Sequence, residues 1–319
     1  MVMAQSLFIT LKKEYPQSEI DVVAPGWSVP LLKRMPEVNR AIELPVGHKQ
    51  LGLLTRYRIG KSLRLRHYDR AIITPRSFKS ALTPFFAKSK QRTGYRGEMR
   101  FGLLNDIRPL DKAILKQTVQ RYVALGLPAN APLPPDVPLP KLDIDTENQK
   151  QLLEKLKLNV DRPIVGFMPG AEYGPAKQWP VEYFHELAGL LAKENVNVWV
   201  LGSEKEAAIG KEIANANSNV RNLCGKTSLT DVVDLLSLTR ETVTNDSGLM
   251  HIACATERQV IAIYGSSNPE YTPPLSDKAV VLYKGLECSP CFKRVCPYGH
   301  TDCLNNISAS DVFGEIMNI

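Results

Sequence analysis

The sequence predicts an α/β protein with two Rossmann-like, doubly wound domains that face each other across a cleft. The chain has 319 residues, more than a single hydrophobic core usually serves. Short apolar runs alternate with amphipathic helical stretches throughout, which is the pattern of parallel sheets covered by helices. A polar, proline-rich stretch at 129–140 interrupts this alternation. We therefore predict one domain at 1–145 and a second at 146–319.

The first half opens with a helix. Residues 2–15 place Ala4, Leu7, Phe8 and Leu11 on one apolar face. Because a doubly wound domain normally begins with a strand, we expect the first strand to be missing from this sequence. The alternating pattern predicts strands at 19–24, 40–44, 70–74 and 91–95. It predicts helices at 28–35, 53–66, 78–87 and 112–125.

The second half repeats the alternation more clearly. A helix at 147–156 is predicted to open it. Strands are then predicted at 164–168, 196–201, 220–223, 241–245, 259–264 and 279–283. Amphipathic stretches predict helices at 180–194, 204–216, 228–239, 247–256 and 310–318.

Charge is distributed unevenly along the chain. The net charge is +7, yet residues 1–140 hold 23 Lys and Arg against 10 Asp and Glu. Between Arg56 and Arg100, 13 basic residues face only Asp69 and Glu98. A basic amino half predicts an anionic partner, which could be nucleic acid, an anionic membrane surface or a phosphorylated substrate. We expect no nucleic acid, because few exposed aromatic residues are interleaved with these cations.

The sequence also bears on the cellular compartment. No apolar run has the length of a membrane span, and no signal peptide is evident. We therefore expect a cytoplasmic protein.

A strand-to-helix turn is the most informative motif. The run that ends at Asn245 reads as a buried strand, and a helical pattern follows it. Asp246 and Ser247 are good N-caps, and Gly248 would let a ligand approach the backbone closely. His251 lies on the same helix face as Ser247, one turn later. Backbone N–H groups converge at such a turn, so we predict a phosphate or diphosphate site.

A second strand-end loop strengthens this prediction. The strand at 164–168 runs into a loop rich in Gly and Pro that reaches Pro180, where a helix begins. The loop carries Lys177 immediately before that helix. Because ligands of open α/β sheets bind at the carboxyl ends of strands, we predict that Lys177 contacts a pyrophosphate. No G-x-G-x-x-G follows a strand, which disfavours a nicotinamide-dependent enzyme.

Four cysteines are clustered near the carboxyl end, at Cys288, Cys291, Cys296 and Cys303. In a cytosolic chain such a cluster indicates zinc or an iron–sulfur centre before disulfides. The spacing matches no standard zinc ribbon, so a compact loop of reduced thiols is the alternative. Cys224 and Cys254 lie in apolar contexts and read as core residues.

These motifs resemble those of the ADP-heptose:lipopolysaccharide heptosyltransferases of glycosyltransferase family 9. The resemblance covers essentially the whole chain. It is carried by the segment from Met168 to Pro180, by Asn245-Asp-Ser-Gly-x-x-His251 and by the cysteine cluster. It implies the GT-B fold, with an amino-terminal acceptor domain and a carboxy-terminal ADP-heptose domain. The implied reaction is inverting transfer of L-glycero-D-manno-heptose from ADP-heptose to the first heptose of the lipopolysaccharide inner core.

The resemblance also implies roles for individual residues. Lys177 would contact the donor phosphates, Glu206 the adenosine ribose, and Thr227 the adenine pocket. The remaining implied donor contacts, with diphosphate and heptose, are Asp246, Ser247, Gly248 and His251. No D-x-D metal site is found at a strand end, so we expect transfer without a metal or other cofactor.

The acceptor side rests on the basic segment. Its arginines at Arg56, Arg58, Arg64 and Arg66 suit an acceptor that carries phosphates and acidic Kdo sugars, Hep-Kdo2-lipid A. We accordingly expect the protein to lie peripherally on the cytoplasmic surface of the inner membrane.

The catalytic base implied by the family is not found in this sequence. It is an aspartate of a Gly-Asp pair at the end of the first strand, directly before the helix that begins at Val2 here. We expect this aspartate to precede Met1, and we expect weak transfer by the chain as given. A non-catalytic sugar-nucleotide- or lipid-binding module is therefore the alternative to an enzyme.

Overall fold

The computed structural model describes residues 1–47, 50–215 and 217–318, and the chain divides into two compact units with the boundary between Pro138 and Leu139. Each unit is an α/β layer structure with parallel strands only among those described. None of the helices in the described ranges is long and apolar enough to span a bilayer.

The first unit contains two small sheets. One pairs β1 with β2, and the other has the order β3-β4-β5. On the apolar face predicted for the first helix, Leu7 and Phe8 are buried, whereas Ala4 and Leu11 are half-buried. In chain order the elements are α1 (Val2–Glu14), β1 (Ile20–Ala24), α2 (Val29–Leu32), β2 (Val38–Glu43), α3 (Leu53–Leu63), β3 (Arg70–Ile73), α4 (Leu82–Phe86), β4 (Gln91–Tyr95), β5 (Asp106–Arg108) and α5 (Thr118–Gly126).

The second unit is built on one six-stranded sheet with the order β11-β10-β9-β6-β7-β8. Its elements are α6 (Thr146–Lys155), β6 (Ile164–Met168), α7 (Val181–Lys193), β7 (Asn197–Val200), α8 (Ala207–Ala214), β8 (Val220–Asn222), α9 (Leu229–Leu236), β9 (Glu241–Asn245), α10 (Gly248–Cys254), β10 (Gln259–Tyr264), β11 (Ala279–Tyr283), α11 (Asp302–Asn305) and α12 (Ala309–Met317). Every residue of β6 and β9 is buried. This burial explains why β6, Ile-Val-Gly-Phe-Met, reads as a continuous apolar run in the sequence. In β9, Glu-Thr-Val-Thr-Asn, four polar residues are buried beside a single valine.

The core beside the central strands fixes the loop that follows β6. The Trp179 ring lies at the end of that loop and packs edge-on against Phe184 of α7, with the ring centroids 4.7 Å apart. Trp179 also donates its indole N–H to the carbonyl oxygen of Ile307 at 2.8 Å. Leu187 and Leu191 continue the buried face of α7 at helical spacing. Full burial of a large apolar side chain stabilises a fold by roughly 1.5–3 kcal/mol, so these contacts fix the end of the loop in place.

Several predicted boundaries were wrong for local reasons. The helix predicted at 112–125 begins only at Thr118, because the Asp111 carboxylate accepts the N–H groups of Ala113 and Ile114 and forms a turn there. The strand β5 was missed because its three residues, Asp-Ile-Arg, form no apolar run. The short helix α11 was also missed. It contains Cys303, at the end of the segment 288–303 that holds the four clustered cysteines and is called the cysteine segment below. Ala216, the last residue of the helix predicted at 204–216, lies outside the described residues.

Candidate functional site

The candidate site lies in the second unit, where loops leave the carboxyl ends of five neighbouring strands. Across the sheet these strands follow the order β8, β7, β6, β9 and β10. Because all the pairings are parallel, these five ends lie at one edge, which is where open α/β sheets bind ligands. Both predicted motifs are found here, after β6 and after β9.

Asn245, the last residue of β9, joins the two motifs. Its side chain is fully buried. Its Oδ1 accepts the backbone N–H of Trp179 at 3.0 Å, and its Nδ2 donates to the carbonyl oxygen of Pro169 at 2.6 Å. Asn245 therefore holds both ends of the β6 loop against β9. No role is predictable for Asn245 from its type and position alone, although it lies inside the motif at the end of β9.

Lys177 and Asp246 form an ion pair at the centre of the site. The Lys177 Nζ lies 2.5 Å from the Asp246 Oδ2, and the two side chains are 16% and 5% exposed. The Lys177 ammonium also lies 5.1 Å from the ring centroid of Tyr173. A carboxylate does not itself attract a diphosphate. Asp246 therefore orients Lys177, whose charge is available to an anionic ligand at the strand ends.

The turn after Asp246 holds a serine hydroxyl that forms no hydrogen bond within the described residues. Ser247 occupies the N-cap position of α10, as predicted, but its side chain makes no cap hydrogen bond. Its Oγ is buried and has no hydrogen-bond partner among the described residues. At Gly248 a Cβ atom would meet open space, with nothing within 4 Å. The turn therefore offers a hydroxyl and an uncrowded stretch of backbone N–H groups to a ligand.

His251 is held in its neutral form. Its side chain lies within the site and is only 8% exposed. Burial lowers the pKa of its imidazole to about 4, although the Asp246 carboxylate acts in the opposite direction. At neutral pH the ring is therefore uncharged and can both accept and donate a hydrogen bond. Its Nδ1 is buried without a partner in the described part of the chain.

Glu206 lies at the ends of β6 and β7. Its Oε2 accepts the backbone N–H of Ser203 at 2.7 Å and the Ser203 hydroxyl, so it closes a capping box. Two glycines make room for it: a Cβ on Gly170 would lie 2.9 Å from the Glu206 Cγ, and one on Gly202 would lie 3.0 Å from its Cβ. The structure thus places this half-buried carboxylate against the backbone of two glycines at the strand ends.

Thr227 lies in the loop after β8, at the far end of the row of strand ends. Its Oγ1 is buried and has no hydrogen-bond partner within the ranges that the structure covers. The preceding Gly225 adopts a φ of 74°, which reverses the chain after the strand. The predicted adenine-pocket residue therefore lies on the same edge of the sheet as Glu206.

The cysteine segment supports the loop that carries Lys177. The backbone N–H of Ala176 donates to the carbonyl oxygen of Arg294 at 3.1 Å, and the Tyr173 hydroxyl donates to the carbonyl oxygen of Phe292 at 2.7 Å. Gly174 has a φ of 150°, and a Cβ there would lie 2.5 Å from the Arg294 carbonyl oxygen. The segment therefore fixes the backbone on which Lys177 is mounted, which sequence reasoning did not anticipate.

The four thiols of the cluster influence one another. Burial raises the pKa of Cys303, and the neighbouring Cys288, Cys296 and Cys291 raise it further. Backbone N–H groups, led by that of Thr301, lower the pKa of Cys296. In the part of the chain that the structure describes, no three potential ligand side chains converge at metal-binding distance.

The four arginines predicted to face the acceptor are in different environments. Arg56 is buried, and its Nε donates to the carbonyl oxygen of Leu51 at 2.8 Å. Burial also lowers its pKa. The Nε of Arg64 donates to the carbonyl oxygen of Phe86 at 2.8 Å and ties the end of α3 to α4. Arg58 and Arg66 are exposed. Arg56 and Arg64 therefore belong to the packing of α3, and only the other two are available at the surface.

Comparison with known proteins identifies relatives along most of the chain. The model of glycosyltransferase family 9, the heptosyltransferases, matches residues 56–302. The lipopolysaccharide heptosyltransferase 2 of Salmonella typhimurium is 49% identical over 292 residues, covering 88% of this chain and 84% of that protein. The lipooligosaccharide heptosyltransferase 2 of Haemophilus influenzae is 48% identical over 294 residues with the same coverage.

Solved structures agree with this result. The ADP-heptose lipopolysaccharide heptosyltransferase II of Escherichia coli superimposes with a TM-score of 0.85 at 42% identity, covering 99% of this chain and 93% of that one. An E. coli heptosyltransferase solved with ADP-2-deoxy-2-fluoro heptose gives a TM-score of 0.72 at 20% identity, covering 99% and 95%. At that identity the second match supports the fold alone.

Proposed function

Since the chain belongs to glycosyltransferase family 9, the heptosyltransferases, we propose that it transfers L-glycero-D-manno-heptose from ADP-heptose to the first heptose of the lipopolysaccharide inner core. The relatives at 48–49% identity are named as heptosyltransferase 2, and the E. coli structure is named for ADP-heptose. The family resemblance expected from the sequence is confirmed, and so is the GT-B fold that it implies. The heptosyltransferase relatives support an enzyme over the alternative of a non-catalytic module.

The observation that carries the donor assignment is the order of the predicted contacts along the sheet edge. Thr227 follows β8, Glu206 follows β7, Lys177 follows β6, and Ser247 follows β9. The parts of ADP-heptose follow the same order, from adenine through ribose and diphosphate to the sugar. An extended donor lying along this edge would therefore meet each predicted residue in turn.

Charge along the edge supports the same placement. Lys177 is held beside the turn at Ser247 by its ion pair with Asp246. When the bond between the sugar and the phosphate breaks, negative charge develops on the departing ADP. A preorganised ammonium group and backbone N–H groups stabilise such charge without a metal ion. We accordingly propose that transfer requires no metal or other cofactor.

The acceptor and the location of the protein are inferred from the first unit. Arg58 and Arg66 are exposed there, and Leu54 and Leu65 beside them are 70% and 85% exposed. Cations interspersed with exposed apolar side chains suit the surface of an anionic bilayer. We propose that this face meets Hep-Kdo2-lipid A at the cytoplasmic surface of the inner membrane, with the protein bound peripherally.

Two measurements test the proposal. Calorimetry should show that ADP and ADP-heptose bind, whereas UDP and UDP-sugars do not. The protein incubated with ADP-heptose and Hep-Kdo2-lipid A should increase the acceptor mass by one heptose, as detected by mass spectrometry. Equal binding of UDP-sugars, or transfer of another sugar in preference to heptose, would contradict the proposal.

A further inference from the structure

Two serines that follow β10 have buried hydroxyls that form no hydrogen bond within the described part of the chain. Ser266 and Ser267 are 1% and 3% exposed, and the Oγ atoms of both have no hydrogen-bond partner among the described residues. A buried polar atom without a hydrogen-bond partner destabilises the folded state. Native proteins keep few such groups, so two in succession call for a specific explanation.

The backbone N–H and carbonyl groups of Ser266 both form hydrogen bonds, in contrast to the two side-chain hydroxyls. The N–H of Ser266 donates to the carbonyl oxygen of Ala176 at 3.2 Å, and its carbonyl oxygen accepts the N–H of Phe292 at 2.7 Å. The turn is thereby fixed between the loop that carries Lys177 and the cysteine segment. The serine side chains are thus held in place by contacts that do not involve their hydroxyls.

The position of the turn relates it to the donor site. Ile263 of β10 is in register with Asn245 of β9, so the residues after the two strands leave the sheet side by side. Ser247 Oγ and His251 Nδ1, which lie after β9, are likewise buried without partners in the ranges described. The two adjacent strand ends therefore hold a group of four polar side chains, at Ser247, His251, Ser266 and Ser267, that lack partners within the described protein.

The chemistry of this group differs from that of the rest of the edge. Hydroxyls and a neutral imidazole carry no charge and can both donate and accept hydrogen bonds. Such groups suit the hydroxyls of a sugar better than they suit a phosphate, which is met by Lys177. The group also extends the sugar end of the proposed donor order by one strand, from β9 to β10.

We propose that Ser266 and Ser267 bind the hydroxyls of the heptosyl group of the donor and contribute to selection of the sugar. This subsite rests on the proposed function, because it places the sugar of ADP-heptose beyond the diphosphate at Lys177. It assigns a binding role to the turn after β10, which the sequence motifs did not single out.

The test compares two ligands that differ only in the sugar. Ser266→Ala and Ser267→Ala should each weaken ADP-heptose about three- to ten-fold in calorimetry, the loss of one neutral hydrogen bond, and should leave ADP within two-fold. The matched control is Ser237→Ala. Ser237 is also buried, but its Oγ donates to the carbonyl oxygen of Asp234 at 2.6 Å and accepts from Gln149, away from the site. This control should leave both affinities unchanged.

The melting temperatures of the ligand-free variants distinguish a binding role of the two hydroxyls from a purely structural one. Removing an unpartnered buried hydroxyl removes its cost, so Ser266→Ala and Ser267→Ala should melt at or above the wild-type temperature. Ser237→Ala should melt lower, because it loses two hydrogen bonds. If the Ser266 and Ser267 variants melted lower and lost ADP and ADP-heptose alike, the hydroxyls would be structural and the proposal overturned.

The remaining outcomes separate this subsite from the proposed function. Wild-type protein that bound both ligands, with folded Ser266→Ala and Ser267→Ala variants that kept the full ADP-heptose affinity, would overturn the subsite alone. Wild-type protein that bound neither ligand would overturn the donor assignment, and the subsite with it.

Discussion

The Lys177 ammonium lies 2.5 Å from the Asp246 carboxylate, although 69 positions separate the two residues in the chain. One follows β6 and the other follows β9, which are neighbouring strands in the sheet. The pair is mostly buried, so the lysine is restrained before any ligand arrives. A restrained cation costs less conformational entropy on binding than a free surface lysine, which is the physical basis for assigning the diphosphate to it.

Glu206 should discriminate between ligands with and without a ribose. Glu206→Ala should weaken ADP several-fold and leave inorganic pyrophosphate nearly unchanged, because the carboxylate addresses ribose hydroxyls. Glu206→Gln retains a side chain able to close the capping box with Ser203, so it controls for the loss of that box. Calorimetry with both ligands is the measurement. Equal losses of ADP and pyrophosphate would show that Glu206 acts through the fold or the overall field.

Gly248 should matter for the ligand and not for the fold. A Cβ there meets no atom within 4 Å, so Gly248→Ala should fold normally, yet its methyl group would narrow the backbone approach and weaken ADP. Gly314→Ala is the matched control, since Gly314 is also helical with open space around it. Both changes should stabilise their helices by up to about 1 kcal/mol. Unaltered ADP affinity in Gly248→Ala would remove this glycine from the site.

The exposed arginines of the first unit should serve membrane and acceptor, and not the donor. The double variant Arg58→Gln, Arg66→Gln should bind anionic vesicles more weakly in a sedimentation assay, and high salt should reproduce the loss. Its ADP affinity should not change. The control neutralises two exposed lysines of the second unit, Lys193 and Lys211. If the control lost as much vesicle binding, the attraction would reflect net charge and not this face.

The cysteine cluster should contain no metal when the protein is purified reduced and free of chelator. Its spacing fits no standard zinc site, and it lies beside the Lys177 loop as a support. Elemental analysis is the measurement. About one zinc or iron per chain, lost in Cys291→Ser and retained in Cys254→Ser, would contradict this expectation.

The architecture of the second unit was predictable because its determinants are local. A buried parallel strand such as β6 reads as an apolar run. Because parallel strands all run in one direction, the residues that follow them lie at the same edge of the sheet. The site motifs at Lys177 and at Asp246 to His251 could therefore be located without coordinates. Their pairing could not, since nothing in the sequence shows that Asp246 bonds to Lys177 instead of facing a ligand.

Other features depend on tertiary contacts that leave no local trace. A count of basic residues gives the charge of α3 but not which arginines turn inward. Arg56 is buried because the packing of α3 on α4 is tight; a Cβ on Gly60 would lie 2.7 Å from the carbonyl oxygen of Thr83. The serines after β10 resemble an ordinary turn in the sequence. Only their burial without partners distinguishes them.

The most direct test of the account is the ADP affinity of Lys177→Ala, measured by calorimetry beside Lys278→Ala. Lys278 is exposed and donates to the Glu257 carbonyl oxygen before β11, at the opposite edge of the sheet. A charge-assisted contact is worth roughly 1.5–3 kcal/mol, so Lys177→Ala should weaken ADP about ten-fold or more, while Lys278→Ala should match the wild type. A folded Lys177→Ala protein with wild-type ADP affinity would contradict the placement of the donor at these strand ends.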